Sequence, residues 1–157
     1  MNKYGLVGKK LGHSLSPEIH NYIFDKLGVE AEYSLYEIED GKDILKLMEE
    51  KGIKGFNITI PYKEIVMSQL DFISEEAEKI GAVNLVKIKN GESYGYNSDY
   101  YGVVEMLEKH DVKVKGKICY VLGSGGASKS VIVALHDLGA KEIVVVTRDV
   151  ESKRREL

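Results

Sequence analysis

Ser14 and Ser16, within Gly12-His13-Ser14-Leu15-Ser16-Pro17, put two hydroxyls at i and i+2 where an apolar run gives way to a helical pattern. Beside a helix N-terminus such a pair can grip an anion or a carboxylate. Read locally, Ser16 is only an N-cap and Ser14 only loop. Phe56-Asn57-Ile58-Thr59-Ile60-Pro61-Tyr62-Lys63 closes the third apolar run, at the carboxyl end of a strand, where open α/β sheets receive their ligands. Lys63 there is either a proton-transferring amine or a solvated surface lysine. Gly81-Ala82-Val83-Asn84 and Tyr96-Asn97-Ser98-Asp99-Tyr100-Tyr101-Gly102 are polar, loop-like clusters, and Asp99 can be a working carboxylate or an N-cap. His13 and His20 lack metal-ligand spacing and read as surface or capping residues.

A glycine loop stands further along. Val121-Leu122-Gly123-Ser124-Gly125-Gly126-Ala127-Ser128 follows an apolar strand and opens a helix. Gly123 can make the tight turn and Gly125 can let the backbone approach a pyrophosphate, with the helix N-terminus supplying N–H groups. Ser128 occupies the place of the usual third glycine, and the simpler reading is a βα turn with no ligand. The next strand ends Val146-Thr147-Arg148, and Arg148 is the first arginine in the chain. An acidic residue at this place would accept a ribose 2′-hydroxyl. A guanidinium instead holds a 2′-phosphate bidentately, which favours NADP over NAD. Asp149 beside it reads as the cap of a helix opening at Val150.

Taken in order, these segments resemble the shikimate dehydrogenase family from one end of the chain to the other. The family's His-Ser-x-Ser-Pro-x-x-His-Asn run is His13 to Asn21, and its Asn-Val-Thr-x-Pro-x-Lys run is Asn57 to Lys63. Gly-Ala-Val-Asn is intact at Gly81 to Asn84, Asn-Thr-Asp appears as Asn97-Ser98-Asp99, and Gly-x-Gly-Gly-Ala matches Gly123 to Ala127. The resemblance implies that Ser14 and Ser16 bind a substrate carboxylate and that Thr59, Asn84 and Asp99 hold ring hydroxyls. It implies Lys63 as the acid/base, with Asp99 beside it. For the cofactor NADP it implies Gly123, Ser124, Gly125, Gly126, Ala127, Thr147 and Arg148. The reaction implied is reversible reduction of 3-dehydroshikimate to shikimate. A quinate/shikimate dehydrogenase and a fragment that only binds shikimate are the alternatives. Asp149 departs from the family's usual Thr and sets a carboxylate near the expected phosphate.

Residues of this kind need a scaffold, and the pattern supplies one. With 157 residues, 43% hydrophobic, and a net charge of −3, the chain suits one ordinary domain or slightly more. Mixed charge gives no electrostatic reason for nucleic acid, and no apolar run approaches the ~20 residues that span a bilayer. No apolar stretch precedes Lys9 and Lys10, so a cytoplasmic location is expected. Cys119 is the only cysteine and reads as a small buried hydrophobe.

Strands are expected at Lys3–Val7, Tyr33–Ile38 and Ile53–Ile60, and a hairpin at Ala82–Tyr96 around Asn90-Gly91. Helices are expected from Ser16 as N-cap to Gly28, with Ile19, Ile23, Phe24 and Leu27 on one face, and after Asp40, carrying Ile44, Leu47 and Met48 and closed by Gly52. Others should open at Ser74 and run from Tyr100 to Lys109. A βαβ unit then spans Lys117–Leu122, Ala127–Leu138 and Glu142–Thr147. The fold class is α/β: a substrate-binding domain over 1–100 with a mostly parallel sheet and a hairpin edge, a connecting helix and linker over 101–116, and an incomplete Rossmann-type unit over 117–157. Two strands under one helix would leave a sheet face open. A longer enzyme or a homodimer partner is expected to cover it.

Overall fold

The computed structural model describes residues 1–125, 127–148 and 150. They fall into two compact units, Met1–Tyr96 and the residues from Asn97 onward. Among the described residues no helix is long and apolar enough to cross a membrane.

The first unit runs β1 (Asn2–Gly8), α1 (Ser16–Leu27), β2 (Ala31–Glu37), α2 (Ile44–Glu50) and β3 (Ile53–Ile58). A 3-10 turn (Ile65–Gln69) follows, then β4 (Phe72–Ile73), α3 (Glu75–Ile80), β5 (Leu85–Lys89) and β6 (Glu92–Tyr96). The sheet order is β2-β1-β3-β5-β6-β4. β1 pairs parallel with β2 and β3, as helical crossovers require, whereas β5 runs antiparallel to β3 and β6. The hairpin was expected at the sheet edge. It lies one strand inside, because two-residue β4 pairs parallel with the outer side of β6. A strand that short leaves no periodicity in the sequence. Asn90 (φ 57°) and Gly91 (φ 80°) both take positive φ, as a type I′ turn demands.

One sheet face carries the core. Val7, Phe56, Ile58 and Val86 project from the strands and meet Ile44 and Met48 of α2, Val66 of the 3-10 turn and Ala77 of α3. Each large side chain fully buried there contributes about 1.5–3 kcal/mol.

The opposite face is covered differently from expectation. Helix α1 buries no residue completely, and Ile19, Ile23 and Leu27 are exposed at 54%, 41% and 70%. Its sheet-facing row is His20, Asn21 and Phe24 instead. Phe24 lies 5.7 Å from the Tyr4 ring, and His20 stacks on Tyr33 at 4.2 Å. A row at i, i+1 and i+4 is rotated about 100° from the one at Ile19, Ile23 and Leu27, so the two stripes cannot both face the strands.

Ser16 also differs from its expected role. Leu15 occupies the N-cap position, Ser16 is the first helical residue, and the N-cap side chain makes no capping hydrogen bond. At the other end Gly28 adopts φ 64°, with its N–H and that of Val29 donating to Asp25 and Phe24 carbonyls. Ser74 stands at the N-cap of α3, but its hydroxyl goes to Glu76 rather than to the backbone.

The second unit contains α4 (Ser98–Lys109), β7 (Ile118–Leu122), α5 (Ser128–Asp137) and β8 (Glu142–Val146). β7 and β8 pair in parallel across α5. Val121, Val114 and Leu135 form the buried cluster, with Leu107, Val131, Ile143 and Val145 packed around it. Cys119 is half-buried against the same cluster, in keeping with a small apolar role. Alternation sends Ile118, Tyr120 and Leu122 to the other face, where all three are exposed within the described residues.

Candidate active site

In the first unit the candidate side chains stand on segments that the main chain ties together at the carboxyl ends of β1 and β3. The Val7 carbonyl accepts the Thr59 N–H at 3.0 Å, and the Gly8 carbonyl accepts the Ile38 N–H at 3.0 Å. A Cβ at Gly8 would lie 2.6 Å from the Thr59 methyl and 2.6 Å from Leu11 Cδ2, so the close approach of both needs glycine there. The Leu11 N–H donates to Glu37 Oε1 at 2.6 Å, and Ser14 N–H donates to the Leu11 carbonyl at 2.8 Å. The loop between β1 and α1 is therefore held at both ends. It brings Ser14 and Ser16 together: the Ser14 hydroxyl donates to Ser16 Oγ at 3.1 Å, and the Ser16 N–H donates to Ser14 Oγ at 3.3 Å. The pair stands at the opening of α1, where the helix dipole favours an anion.

Thr59 and Lys63 follow β3 through a turn in which Tyr62 N–H donates to the Thr59 carbonyl at 3.0 Å. Tyr62 is buried and its hydroxyl donates to the Ile38 carbonyl at 2.6 Å, fixing the turn to the chain beyond β2. Lys63 is half-buried. Its carbonyl accepts the Val83 N–H at 2.9 Å, next to Asn84. Asn84 is buried, donates its N–H to the Tyr96 carbonyl at 3.0 Å, and accepts the Ile58 N–H at 2.9 Å on its own carbonyl. Asn57 Nδ2 donates to that same carbonyl at 3.4 Å.

Several residues that support this arrangement carried no role in the sequence reading. Glu37 anchors the serine loop. Tyr33 donates its hydroxyl to Asn57 Oδ1 at 2.8 Å, and burial pushes its phenol up to about 12. Asn21 and Asn57 lie inside the recognised segments, which was their only signal; nothing in the sequence marked Glu37 or Tyr33. A groove of about 670 Å³ opens on the α1 face, with Tyr4, His20, Phe24, Tyr33 and Asn57 among its walls. Ser14, Ser16, Thr59 and Lys63 are not among them.

Asp99 and the glycine loop belong to the second unit. Asn97, not Asp99, caps α4: its Oδ1 accepts the N–H groups of Asp99 at 3.1 Å and Tyr100 at 3.4 Å. Asp99 sits in the first turn, where a carboxylate complements the dipole. At the glycine loop Gly123 takes φ 109°, a conformation that only glycine adopts without strain, and its N–H donates to the Val146 carbonyl at 2.8 Å. Ser124 and Thr147 hydroxyls lie 2.8 Å apart, joining the loop to the end of β8. Ser128 donates its hydroxyl to the Gly125 carbonyl at 2.6 Å, so a serine closes the turn where the usual fingerprint has glycine. Among the described residues nothing beyond its chain neighbours lies within 4 Å of where a Cβ on Gly125 would sit. Ala127 and Arg148 are exposed beside these groups. Gly126 and Asp149 lie outside the described residues; Val150, where a helix is expected to open, is helical, and the rest of that helix lies outside them. Among the described residues no group of three or more His, Cys, Asp or Glu could hold a metal ion.

Residues 6–86 match the family model for the shikimate dehydrogenase substrate binding domain. A shikimate dehydrogenase (NADP(+)) of Clostridium perfringens is 51% identical over 153 residues, covering 96% of this chain and 56% of the relative. The chain thus spans little more than half the length of that curated relative. Among solved structures, a chorismate mutase/shikimate 5-dehydrogenase fusion protein from Clostridium acetobutylicum superposes with TM-score 0.90 at 45% identity, covering 99% of this chain and 58% of that one. Shikimate 5-dehydrogenase from Listeria monocytogenes, solved with shikimate and NAD, gives TM-score 0.90 at 31% identity, covering 99% and 55%.

Proposed function

The chain belongs to the shikimate dehydrogenase family, and on that premise we propose that it serves the NADP-dependent, reversible reduction of 3-dehydroshikimate to shikimate. The observation that carries this reading is the main-chain tie of Thr59 to the end of β1 and of Lys63 to the segment that ends in Asn84, in a unit whose β1–α1 loop pairs the Ser14 and Ser16 hydroxyls. In this reading Ser14 and Ser16 hold the substrate carboxylate at the start of α1. Thr59 and Asn84 hold ring hydroxyls, and Asp99 of the second unit is assigned to a ring hydroxyl and to the proton step.

The cofactor, when bound, would supply a hydride to the ketone as NADPH and accept one from the alcohol as NADP+. Lys63 Nζ gives a proton to the nascent alkoxide in reduction and takes the hydroxyl proton in oxidation. The residues of the second unit fit such a cofactor. The positive φ of Gly123 makes the tight turn, and the lack of a side chain on Gly125 lets the backbone approach a pyrophosphate. Ser124 and Thr147 add hydroxyl donors, and Arg148 can take a 2′-phosphate bidentately.

A second reading rests on the length match: at 56% of the relative's length, the chain alone binds shikimate without turning it over. Calorimetry with shikimate, together with an assay that follows NADPH absorbance on mixing with shikimate and NADP, separates the two. Binding with NADPH formation supports the first reading, and binding without it supports the second. No heat with shikimate overturns both.

A further inference from the structure

We infer that Asn57 is a positioning residue for the substrate site, coupling Tyr33 on β2 to the main-chain carbonyl of Asn84 and so steadying the segment that carries Asn84. The inference rests on the proposed reading only for what Asn84 then holds.

Tyr33 and Asn57 stand on strands separated by β1, yet register places them on one face. Tyr33 lies opposite Tyr4, Tyr4 opposite Gly55, and Asn57 is two residues beyond Gly55. Tyr33 is pinned before it reaches across. Its N–H donates to Asn21 Oδ1 at 2.8 Å, its carbonyl accepts from Asn21 Nδ2 at 3.0 Å, and its ring stacks on His20 at an interplanar angle of 11°. Asn21 thereby takes the place of a further strand at this edge of the sheet.

The Asn84 carbonyl, which can only accept, decides which way the Asn57 amide points. Nδ2 donates to it, and Oδ1 is left to accept the Tyr33 hydroxyl. Burial keeps the phenol protonated up to about pH 12, so the coupling does not switch over the usable range. No other side chain of similar size supplies both functions. Aspartate would accept from Tyr33 but set a second acceptor against the Asn84 carbonyl, and leucine would do neither.

A purely structural Asn57 makes a different prediction. The Ile58 N–H also holds the Asn84 carbonyl, so the β3–β5 pairing outlasts loss of the amide. Stability should therefore change little, while the second bond to the Asn84 carbonyl is lost and the Asn84 segment gains freedom. The test uses the whole 157-residue chain carrying Asn57→Asp or Tyr33→Phe. The expected result is a Tm lowered by about 5 °C or less, a shifted Asn84 side-chain amide resonance in the ¹H–¹⁵N spectrum of both variants, and shikimate affinity weakened about three- to tenfold by calorimetry. An unmoved Asn84 resonance in both variants overturns the inference, and so does unchanged affinity in variants of a chain that binds. If the parent chain gives no heat with shikimate, the functional reading falls and the resonance alone decides the coupling. Tyr33→Phe leaves the Asn57 side chain in place, so it tests the coupling even where Asn57→Asp fails to fold.

Discussion

The Lys63 carbonyl accepts the Val83 N–H at 2.9 Å, which fixes the lysine assigned to proton transfer to the segment that ends in Asn84. That bond is made by main-chain atoms. Side-chain substitutions at Lys63 or Asn84 therefore change the chemistry of the locus without releasing one segment from the other.

Lys63→Ala tests the proton assignment on that basis. The backbone bond survives, so shikimate affinity should stay within about threefold, while kcat for shikimate oxidation falls by about 10²–10⁴, as removal of a general base does. Steady-state rates beside calorimetry decide it. Unchanged turnover sinks the assignment.

The serine pair makes a separate prediction. Hydrogen bonds to a charged group are worth about 1.5–3 kcal/mol, so Ser14→Ala and Ser16→Ala should each weaken shikimate binding roughly tenfold to a hundredfold. The methyl ester of shikimate, which lacks the charge, should bind parent and variants with similar affinity. A variant that loses affinity equally for acid and ester has lost shape, not carboxylate recognition.

What could be read ahead of the structure was whatever repeats along the chain or stands in short signatures. The β1–α1–β2–α2–β3 alternation, the Asn90-Gly91 hairpin and the βαβ unit around Gly123 all leave periodic or turn-specific traces. The α1 face did not read correctly, because a helix on a sheet is oriented by its partner's surface. His20 and Phe24 found aromatic rings at Tyr33 and Tyr4, while the more hydrophobic Ile19 and Leu27 did not. The 3-10 turn and β4 are too short to carry a period. At the site, Ser14, Thr59, Lys63 and Asn84 were legible as motif residues. Glu37 and Tyr33 were not, since each acts through a hydrogen bond to a residue more than 20 positions away.

Arg148 carries the cofactor prediction. If it holds the 2′-phosphate, Arg148→Ala should weaken NADP about tenfold to a hundredfold and leave NAD within about threefold, the loss of one charge-assisted bidentate contact. Fluorescence titration with NADPH and NADH measures both. Ser124→Ala separates loop architecture from phosphate recognition. Its hydroxyl meets Thr147 at 2.8 Å, so removing it should weaken both nucleotides together.

The last prediction concerns acid stability, at a point far from the chemistry. Asp71 precedes β4, and its Oδ2 accepts the Ser93 hydroxyl at 2.7 Å and the Ser93 N–H at 2.8 Å, while Ser93 Oγ accepts the Asp71 N–H at 2.9 Å. The Ser93 hydroxyl first, and the Ser93 N–H second, hold the Asp71 carboxyl below the usual carboxylate range. The unfolded chain then binds the proton more readily than the folded one. The contribution is present above the unfolded value of about 3.9 and is lost as pH falls through the lower folded value. Ser93→Ala removes both hydroxyl bonds and should flatten the fall of Tm below about pH 4 relative to the parent. Asp71→Asn should flatten it as well, because no proton is left to bind. Melts taken between neutral pH and about pH 2 check this, and an acid limb equally steep in parent and both variants would show that other carboxyls set it.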